Sequence, residues 1–305
     1  MREIVVISGK GGTGKTSLTG AFAHLSENKV ICDLDVDAPD LHLLLQPDVQ
    51  QDHSFQSGHE AVIDADQCDG CGLCAQLCRF EAIRESSGVF SIDPLRCEGC
   101  KVCVAMCPAE AIDFPPRTCG RWYVSGTRFG PMVHAQLYPG EENSGLLVTL
   151  LKKKARALAE EQGTELILCD GAPGIGCPVI SSLAGTDLAV VVTEPTPSGR
   201  HDLERVIALC DHFRVTTGVI VNKDDLNPEQ SAHIETFCRD RNIPILARLP
   251  HDPAMTLAMV DGKVVTETTD SPISKALARA WDNILSMDES PAAVASETTP
   301  QPKQS

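Results

Sequence analysis

The chain has 305 residues, 42 acidic against 26 basic side chains, a net charge of −16, and 14 cysteines. Such a length corresponds to about two domains with a sizeable core. The acidic balance argues against a nucleic-acid-binding surface spread over the protein, leaving only a local basic patch open. No apolar run is long enough to span a membrane. Met1 leads into Arg2-Glu3-Ile4-Val5 without the basic start and cleavage site of a signal peptide, so a cytoplasmic protein is expected.

From the N-terminus, residues 4–7 (Ile-Val-Val-Ile) predict a buried strand, and an apolar-periodic helix follows through Leu25. Between them lies Gly9-Lys10-Gly11-Gly12-Thr13-Gly14-Lys15-Thr16-Ser17, which fits the phosphate-loop pattern G-x-x-x-x-G-K-[ST]. Its glycines let backbone N–H groups point at a phosphate, at the positive end of the helix dipole. Lys15 is expected on the β- and γ-phosphates and the Thr16 hydroxyl on Mg²⁺. A second buried strand, 30–32, ends in Asp33-Leu34-Asp35-Val36-Asp37, three carboxylates at alternate positions. One acid at a strand end is commonly a helix cap, but three beside a phosphate loop point to metal and water.

Eight of the 14 cysteines fall within residues 58–114. A density this high marks a disulfide or a metal scaffold, and a reducing compartment disfavours the disulfide. The segment is an internal repeat: Ile63-Asp64 through Glu81-Ala82-Ile83 recurs as Ile92-Asp93 through Glu110-Ala111-Ile112. Cys68-x₂-Cys71-x₂-Cys74-x₃-Cys78 and Cys97-x₂-Cys100-x₂-Cys103-x₃-Cys107-Pro108 match the bacterial two-cluster ferredoxin run. In that pattern the fourth cysteine ligates the opposite cluster. Cys68, Cys71, Cys74 and Cys107 would therefore hold one 4Fe–4S cluster, and Cys78, Cys97, Cys100 and Cys103 the other. Zinc is the competing metal, but three close cysteines followed by a fourth do not make clean tetrahedral pairs. Arg79 stands where Pro108 stands in the second copy, so the two sites differ in local charge and turn.

Downstream, a helix is expected over 145–161, with Lys152-Lys153-Lys154 as a solvated face. A strand over 165–169 ends at Asp170-Gly171-Ala172-Pro173-Gly174. Further strands are predicted over 188–193, 218–221 and 243–249, with helices over 200–213 and 228–241. An amphipathic but weakly basic stretch, 272–285, reads as a core-packing last helix and not a membrane anchor. Strands alternating with helices imply an α/β fold, a doubly wound and mostly parallel sheet, here with a small inserted α+β domain. The expected boundaries are 1–57 with 115–287 for the nucleotide domain, 58–114 for the insert, and 288–305 for a disordered tail. Cys32, Cys169, Cys210 and Cys238 sit in apolar patterns and are expected to be buried small hydrophobes. Cys119 has no assigned role.

The lysine at position 10 makes Lys-Gly-Gly-x-Gly-Lys-Thr resemble the deviant phosphate loop of the MinD/ParA/nitrogenase-iron-protein superfamily of ATPases. That resemblance implies an ATP-dependent dimer, in which Lys10 reaches the partner's nucleotide. It implies that Asp35 handles the attacking water and Asp33 outer-shell magnesium, with Asp37 an alternative for either. Asp170 would hold a magnesium-bound water, and Asn222-Lys223 would lie at the nucleotide base. Asn222-Lys223-Asp224-Asp225 also fits the guanine-reading Asn-Lys-x-Asp, so GTP stands as an alternative to ATP. Cys177 follows Asp170 at an offset similar to a cluster ligand of the nitrogenase iron protein; the stretch around Glu142 lacks the matching second cysteine. A late Cys-x₂-Cys pair of the Mrp type is also missing.

Nearest is the branch carrying an inserted ferredoxin domain. Three functions follow: an ATP-gated electron-transfer module, a cluster carrier or assembly ATPase, and a MinD- or ParA-like spatial organiser with a redox-sensing insert. Partners implied are a homodimer or a heterodimer with a paralogue, and a redox protein with a basic docking face; neither nucleic acid nor a stable membrane anchor is expected.

Overall fold

Short β-branched runs and proline-headed helices lay out the chain in the computed structural model, which describes residues 1–142, 145–268 and 270–287. The tail expected over 288–305 lies outside the described residues. In chain order the first elements are β1 (Arg2–Ser8), α1 (Lys15–Leu25), β2 (Lys29–Asp33), α2 (Leu41–Leu45) and β3 (Asp48–His59). Next come β4 (Val62–Ile63), α3 (Leu73–Leu77), β5 (Ile83–Ser86), β6 (Val89–Ile92), α4 (Val102–Met106) and β7 (Ile112–Asp113). Then follow β8 (Pro116–Thr127), β9 (Gly130–Leu137), α5 (Leu146–Gln162), β10 (Leu166–Pro173), α6 (Cys177–Leu183) and β11 (Leu188–Thr193). The last are α7 (Pro197–Phe213), β12 (Thr216–Asn222), α8 (Pro228–Asp240), β13 (Ile245–Leu249), α9 (Pro253–Val260), α10 (Val265–Thr268) and α11 (Pro272–Leu285). The chain divides into two units, a larger one of Met1–Asp52, Trp122–Gln136 and Asn143–Ser305, and a smaller one of His53–Arg121 and Leu137–Glu142.

The large sheet runs β13-β12-β11-β1-β10-β2-β9-β8-β3. β1 pairs in parallel with β10 and β11, and the parallel ladder continues to β2 on one side and to β12 and β13 on the other. Ile4, Val5, Val6 and Ile7 have no exposed surface, as a central parallel strand covered on both faces requires. Helix α11 closes one face with Ile273, Leu277, Trp281 and Ile284, and Trp281 stacks on Phe22 at 5.3 Å between ring centroids. Among the described residues no helix is long and apolar enough to cross a membrane.

Four helices start with the same local device. Thr196, Asn227, Asp252 and Ser271 each accept a hydrogen bond from a first-turn N–H, and each is followed by proline. Proline at the first helical position has its φ preset and lacks only an N–H that would be unpaired anyway. Helix α7 therefore begins at Pro197, ahead of the 200–213 expected from periodicity alone.

Two features differ from expectation. The sheet extends over β9, β8 and β3, whose apolar runs are short (Met132-Val133, Trp122-Tyr123-Val124) or, in β3, lacking. β3 is an edge strand whose residues are nearly all exposed, so it carries little hydrophobic signal. Lys152 is not on a solvated face: it is 3% exposed, and its ammonium meets Glu3 at 2.7 Å, Thr186 at 2.9 Å and the carbonyls of Ser182 and Ala184. Position 152 follows Val148 by one helical turn and precedes Ala155, on the buried stripe of α5. Arg156 takes the other Glu3 oxygen at 2.7 Å. Lys153 is exposed, and Lys154 lies 5.0 Å over the Trp122 ring.

The smaller unit is built from the duplication. β4 pairs antiparallel with β7, matching Ile63 to Ile112, and β5 with β6, matching Ile83 to Ile92. Each pair joins the start of one copy to the end of the other. The backbone bonds repeat as well, with Asp64 N–H donating to Ala111 and Asp93 N–H donating to Ala82.

Candidate functional site

Five adjacent parallel strands, β2, β10, β1, β11 and β12, end on one side of the sheet. In open α/β sheets, ligands bind beyond these carboxyl ends. The phosphate loop follows β1 and turns into α1 at Lys15. Gly14 has φ 90°, and a Cβ there would collide with the Asn222 amide, so both conformation and space require glycine. A Cβ on Gly11 or Gly12 would meet nothing within 4 Å, so this part of the loop faces open space. The Thr13 hydroxyl is buried without a hydrogen-bond partner.

Lys15 is 5% exposed and makes ion pairs with Asp170 at 2.8 Å and Asp35 at 3.2 Å. Its ammonium lies 3.5 Å from the Thr16 hydroxyl, and the Thr19 hydroxyl donates to Asp170 at 2.9 Å. The β2–β10 register sets Asp33 directly beside Asp170. One Asp33 oxygen accepts the Asp35 N–H at 3.1 Å; the other, like one oxygen of Asp170, is buried without a partner.

Burial, reinforced by Asp170, pushes the Asp33 carboxyl well above the usual carboxylate range. Burial also raises the Asp35 carboxyl, against the opposing pull of Lys15. Burial acts to lower the Lys15 ammonium, but Asp170 and Asp35 outweigh it and hold its pKa above the ordinary lysine value. Asp35 and Asp170 thus share one ammonium, with a third buried carboxyl, Asp33, beside them. Two orphaned oxygens and a hydroxyl in such a field are a hard donor set that fits Mg²⁺ and its waters. Asp37 is exposed.

Around this centre Asn222 donates to the Thr13 carbonyl at 2.7 Å and Lys223 to the Gly12 carbonyl at 2.9 Å. Lys10 lies on its own chain, 2.7 Å from Glu194. Glu194 also meets Lys223 at 3.1 Å. Sequence reasoning missed Glu194, although its place at the end of the 188–193 strand, in line with the other strand-end residues, was a signal. Ser17 turns its hydroxyl to Met259 at 3.0 Å. Asp225, the aspartate of Asn-Lys-x-Asp, accepts the His251 N–H at 2.6 Å, and Asp224 pairs with Arg248 at 2.9 Å. Gly174 donates to the Ser8 carbonyl at 2.8 Å, tying the segment after Asp170 to β1. Cys177 is exposed at the start of α6.

In the smaller unit the eight repeat cysteines line two cavities. Cys68, Cys71, Cys74 and Cys107 line one, beside Phe90 and Pro108. Cys78, Cys97, Cys100 and Cys103 line the other, beside Phe80 and Lys101. The Ala111 N–H donates to Cys107 Sγ and the Ala82 N–H to Cys78 Sγ, each at 3.4 Å. Among the described residues no three His, Cys, Asp or Glu side chains converge on a single-ion site. Cys32, Cys169, Cys210 and Cys238 are buried, as is Cys119, which donates to the Ser57 carbonyl at 3.3 Å.

Comparison with known proteins agrees with this geometry. The model of the CobQ/CobB/MinD/ParA nucleotide binding domain matches residues 4–265. The uncharacterized protein MJ0578 of Methanocaldococcus jannaschii is 38% identical over 229 residues, 74% of this chain and 79% of that protein. A cytosolic Fe-S cluster assembly factor NUBP1 homolog of Caenorhabditis elegans is 22% identical over 297 residues, 90% of this chain and 77% of that protein. The septum site-determining protein MinD of Pyrococcus horikoshii, solved with Mg-ADP, shares the fold at 17% identity and a TM-score of 0.54, over 93% of this chain and 95% of that one. With strand ends, phosphate loop and family match in agreement, this chain belongs to the CobQ/CobB/MinD/ParA nucleotide-binding domain family.

Proposed function

We propose that the protein hydrolyses ATP as a nucleotide-dependent dimer and couples its nucleotide state to electron transfer through two 4Fe–4S clusters. The observation that carries the cluster half is the crossed lining of the two cavities, three cysteines of one repeat with the fourth of the other. That is the ferredoxin ligand pattern, and zinc would need four thiolates converging on a point. When bound, the clusters supply one-electron transfer.

In the nucleotide half, loop residues 9–14 cradle the phosphates, and Lys15 leaves Asp170 and Asp35 to pair with the β- and γ-phosphates. Asp35, freed of the ammonium, orients the attacking water. Thr16, Asp33 and Asp170 would hold Mg²⁺, which neutralises phosphate charge when bound. Lys10 serves the partner's nucleotide, as it does in the family it resembles. Engagement of Asp225 by the His251 N–H leaves that carboxylate less available to a guanine, which favours ATP.

The test is anaerobic reconstitution followed by stopped-flow oxidation of the reduced protein, with and without Mg-ATP. About eight irons per chain and a rate that changes with ATP are expected; a colourless zinc protein, or identical rates, would sink the reading. A second reading, a cluster carrier or assembly ATPase, is favoured by the likeness to the NUBP1 homolog. Cluster transfer to an apo-ferredoxin acceptor would select it over the first.

A further inference from the structure

We propose that Glu194 is a positioning residue that latches Lys10 onto its own chain, so that its release limits how readily the two-chain ATP state forms. The proposal rests on the ATPase reading above and adds a control to it. A lysine ammonium has three donors. Those of Lys10 have three acceptors within the chain: the Glu194 carboxylate at 2.7 Å, the Ser198 hydroxyl at 3.0 Å and the Thr196 hydroxyl at 3.3 Å.

All three acceptors come from one stretch, Glu194-Pro195-Thr196-Pro197-Ser198, which leads from β11 into the first turn of α7. Two prolines restrict its backbone, and the Thr196 hydroxyl is itself fixed by capping α7 through the Gly199 N–H at 2.9 Å. The stretch is thus a preformed receptor for an ammonium, and Glu194 is its only charged member. The second Glu194 oxygen meets Lys223, which also donates to the Gly12 carbonyl at 2.9 Å. Both lysines hold the Glu194 carboxyl below the usual range, against the opposing effect of burial, so the latch stays ionised at neutral pH. A lysine whose donors are all taken on its own chain cannot reach another chain's phosphates until the carboxylate lets go.

The test uses the full chain with Glu194→Gln, which keeps shape and removes charge. Steady-state ATP turnover is measured against protein concentration, and ATP affinity by the thermal shift with Mg-ATP. The latch predicts kcat raised about two- to fivefold, the range a partly exposed ion pair supplies, with KM for ATP unchanged and activity appearing at lower protein concentration. Ser198→Ala, which removes a neutral acceptor, gives a smaller gain in the same direction. Adding Lys10→Ala to Glu194→Gln abolishes the gain. Turnover unchanged or lowered in both single variants, or a gain that survives Lys10→Ala, would overturn the latch while wild-type turnover leaves the ATPase reading standing. No stabilisation of the wild type by Mg-ATP overturns the ATPase reading, and the latch with it.

Discussion

The two units of the chain meet the demand for a core in opposite ways. In the larger, β1, β10 and β11 bury almost every residue, and whole helical faces pack over them. In the smaller, α3 and α4 bury none of their residues, and the buried apolar side chains among the described residues are small or few: Phe55, Ala61, Ala82, Ala111, Ile112 and Cys119. A segment of this size with so little apolar burial sits near the limit at which a protein needs staples. The larger unit carries its stability in its own side chains; the smaller has two pockets lined by its eight repeat cysteines. Stability in the first is hydrophobic; under the cluster reading proposed above, in the second it depends on what the cysteines bind.

The sharpest way to break this contrast is to remove the metal. Chelation under anaerobic conditions, or the double variant Cys97→Ala/Cys100→Ala, is expected to abolish amide-exchange protection in residues 60–113 while the larger unit retains its melting transition. Metal-coupled folding supplies on the order of 10 kcal/mol in small metal domains, more than this core can replace. Retained protection in the metal-free protein would show that the apolar contacts suffice.

In the larger unit the strongest single lever is a buried ion pair. Lys152→Ala leaves the buried Glu3 side chain with only Arg156 and the Thr186 hydroxyl and is expected to lower stability by about 3–5 kcal/mol. Glu3→Gln/Lys152→Met together should recover much of that loss. Urea denaturation of the larger unit's transition measures both, and a loss under about 1 kcal/mol for Lys152→Ala would return the residue to an ordinary surface role.

Changes at the nucleotide site separate activity from folding. Lys15→Ala should lower ATP turnover by at least about 100-fold and leave the cluster absorption untouched. Asp33→Asn removes one of two adjacent buried carboxylates and should raise the melting temperature of the metal-free protein by a few degrees, while abolishing the stabilisation by Mg-ATP. A fall in the metal-free melting temperature would count against the mutual repulsion of Asp33 and Asp170.

The mildest effect concerns pH. His134 is buried, hydrogen-bonded to Ser125 at 2.8 Å, and burial, helped by His42, lowers its pKa from 6.5 to about 4. On acidification the unfolded chain binds this proton first, so stability is full above about pH 6.5 and is lost as pH falls toward 4. The loss reaches at most roughly 3 kcal/mol. His134→Phe should flatten that part of the larger unit's stability curve; parallel curves for variant and wild type would remove the assignment.

Much of the nucleotide site was legible because it is local. The phosphate loop needs glycines, a lysine and a hydroxyl at fixed offsets, and a strand end announces Asp33, Asp35 and Asp170. The cysteine spacing likewise names its own partners through the repeat. Lys152 was misread because a run of three lysines hides which one falls on the inner face of α5. β3 was missed because an edge strand needs no apolar run, and Glu194 because a single glutamate after a strand carries no motif.

By itself, then, the sequence determined the class of fold, the phosphate loop and the duplication that carries the eight thiols, since each is written in periodicity or spacing. Only the tertiary structure decided which charges meet: Lys15 with Asp170 and Asp35, Lys152 with Glu3, and Lys10 with Glu194. Those pairings join residues more than a hundred positions apart, except Lys15 with Asp35, and they depend on strand order and register, which local sequence does not encode.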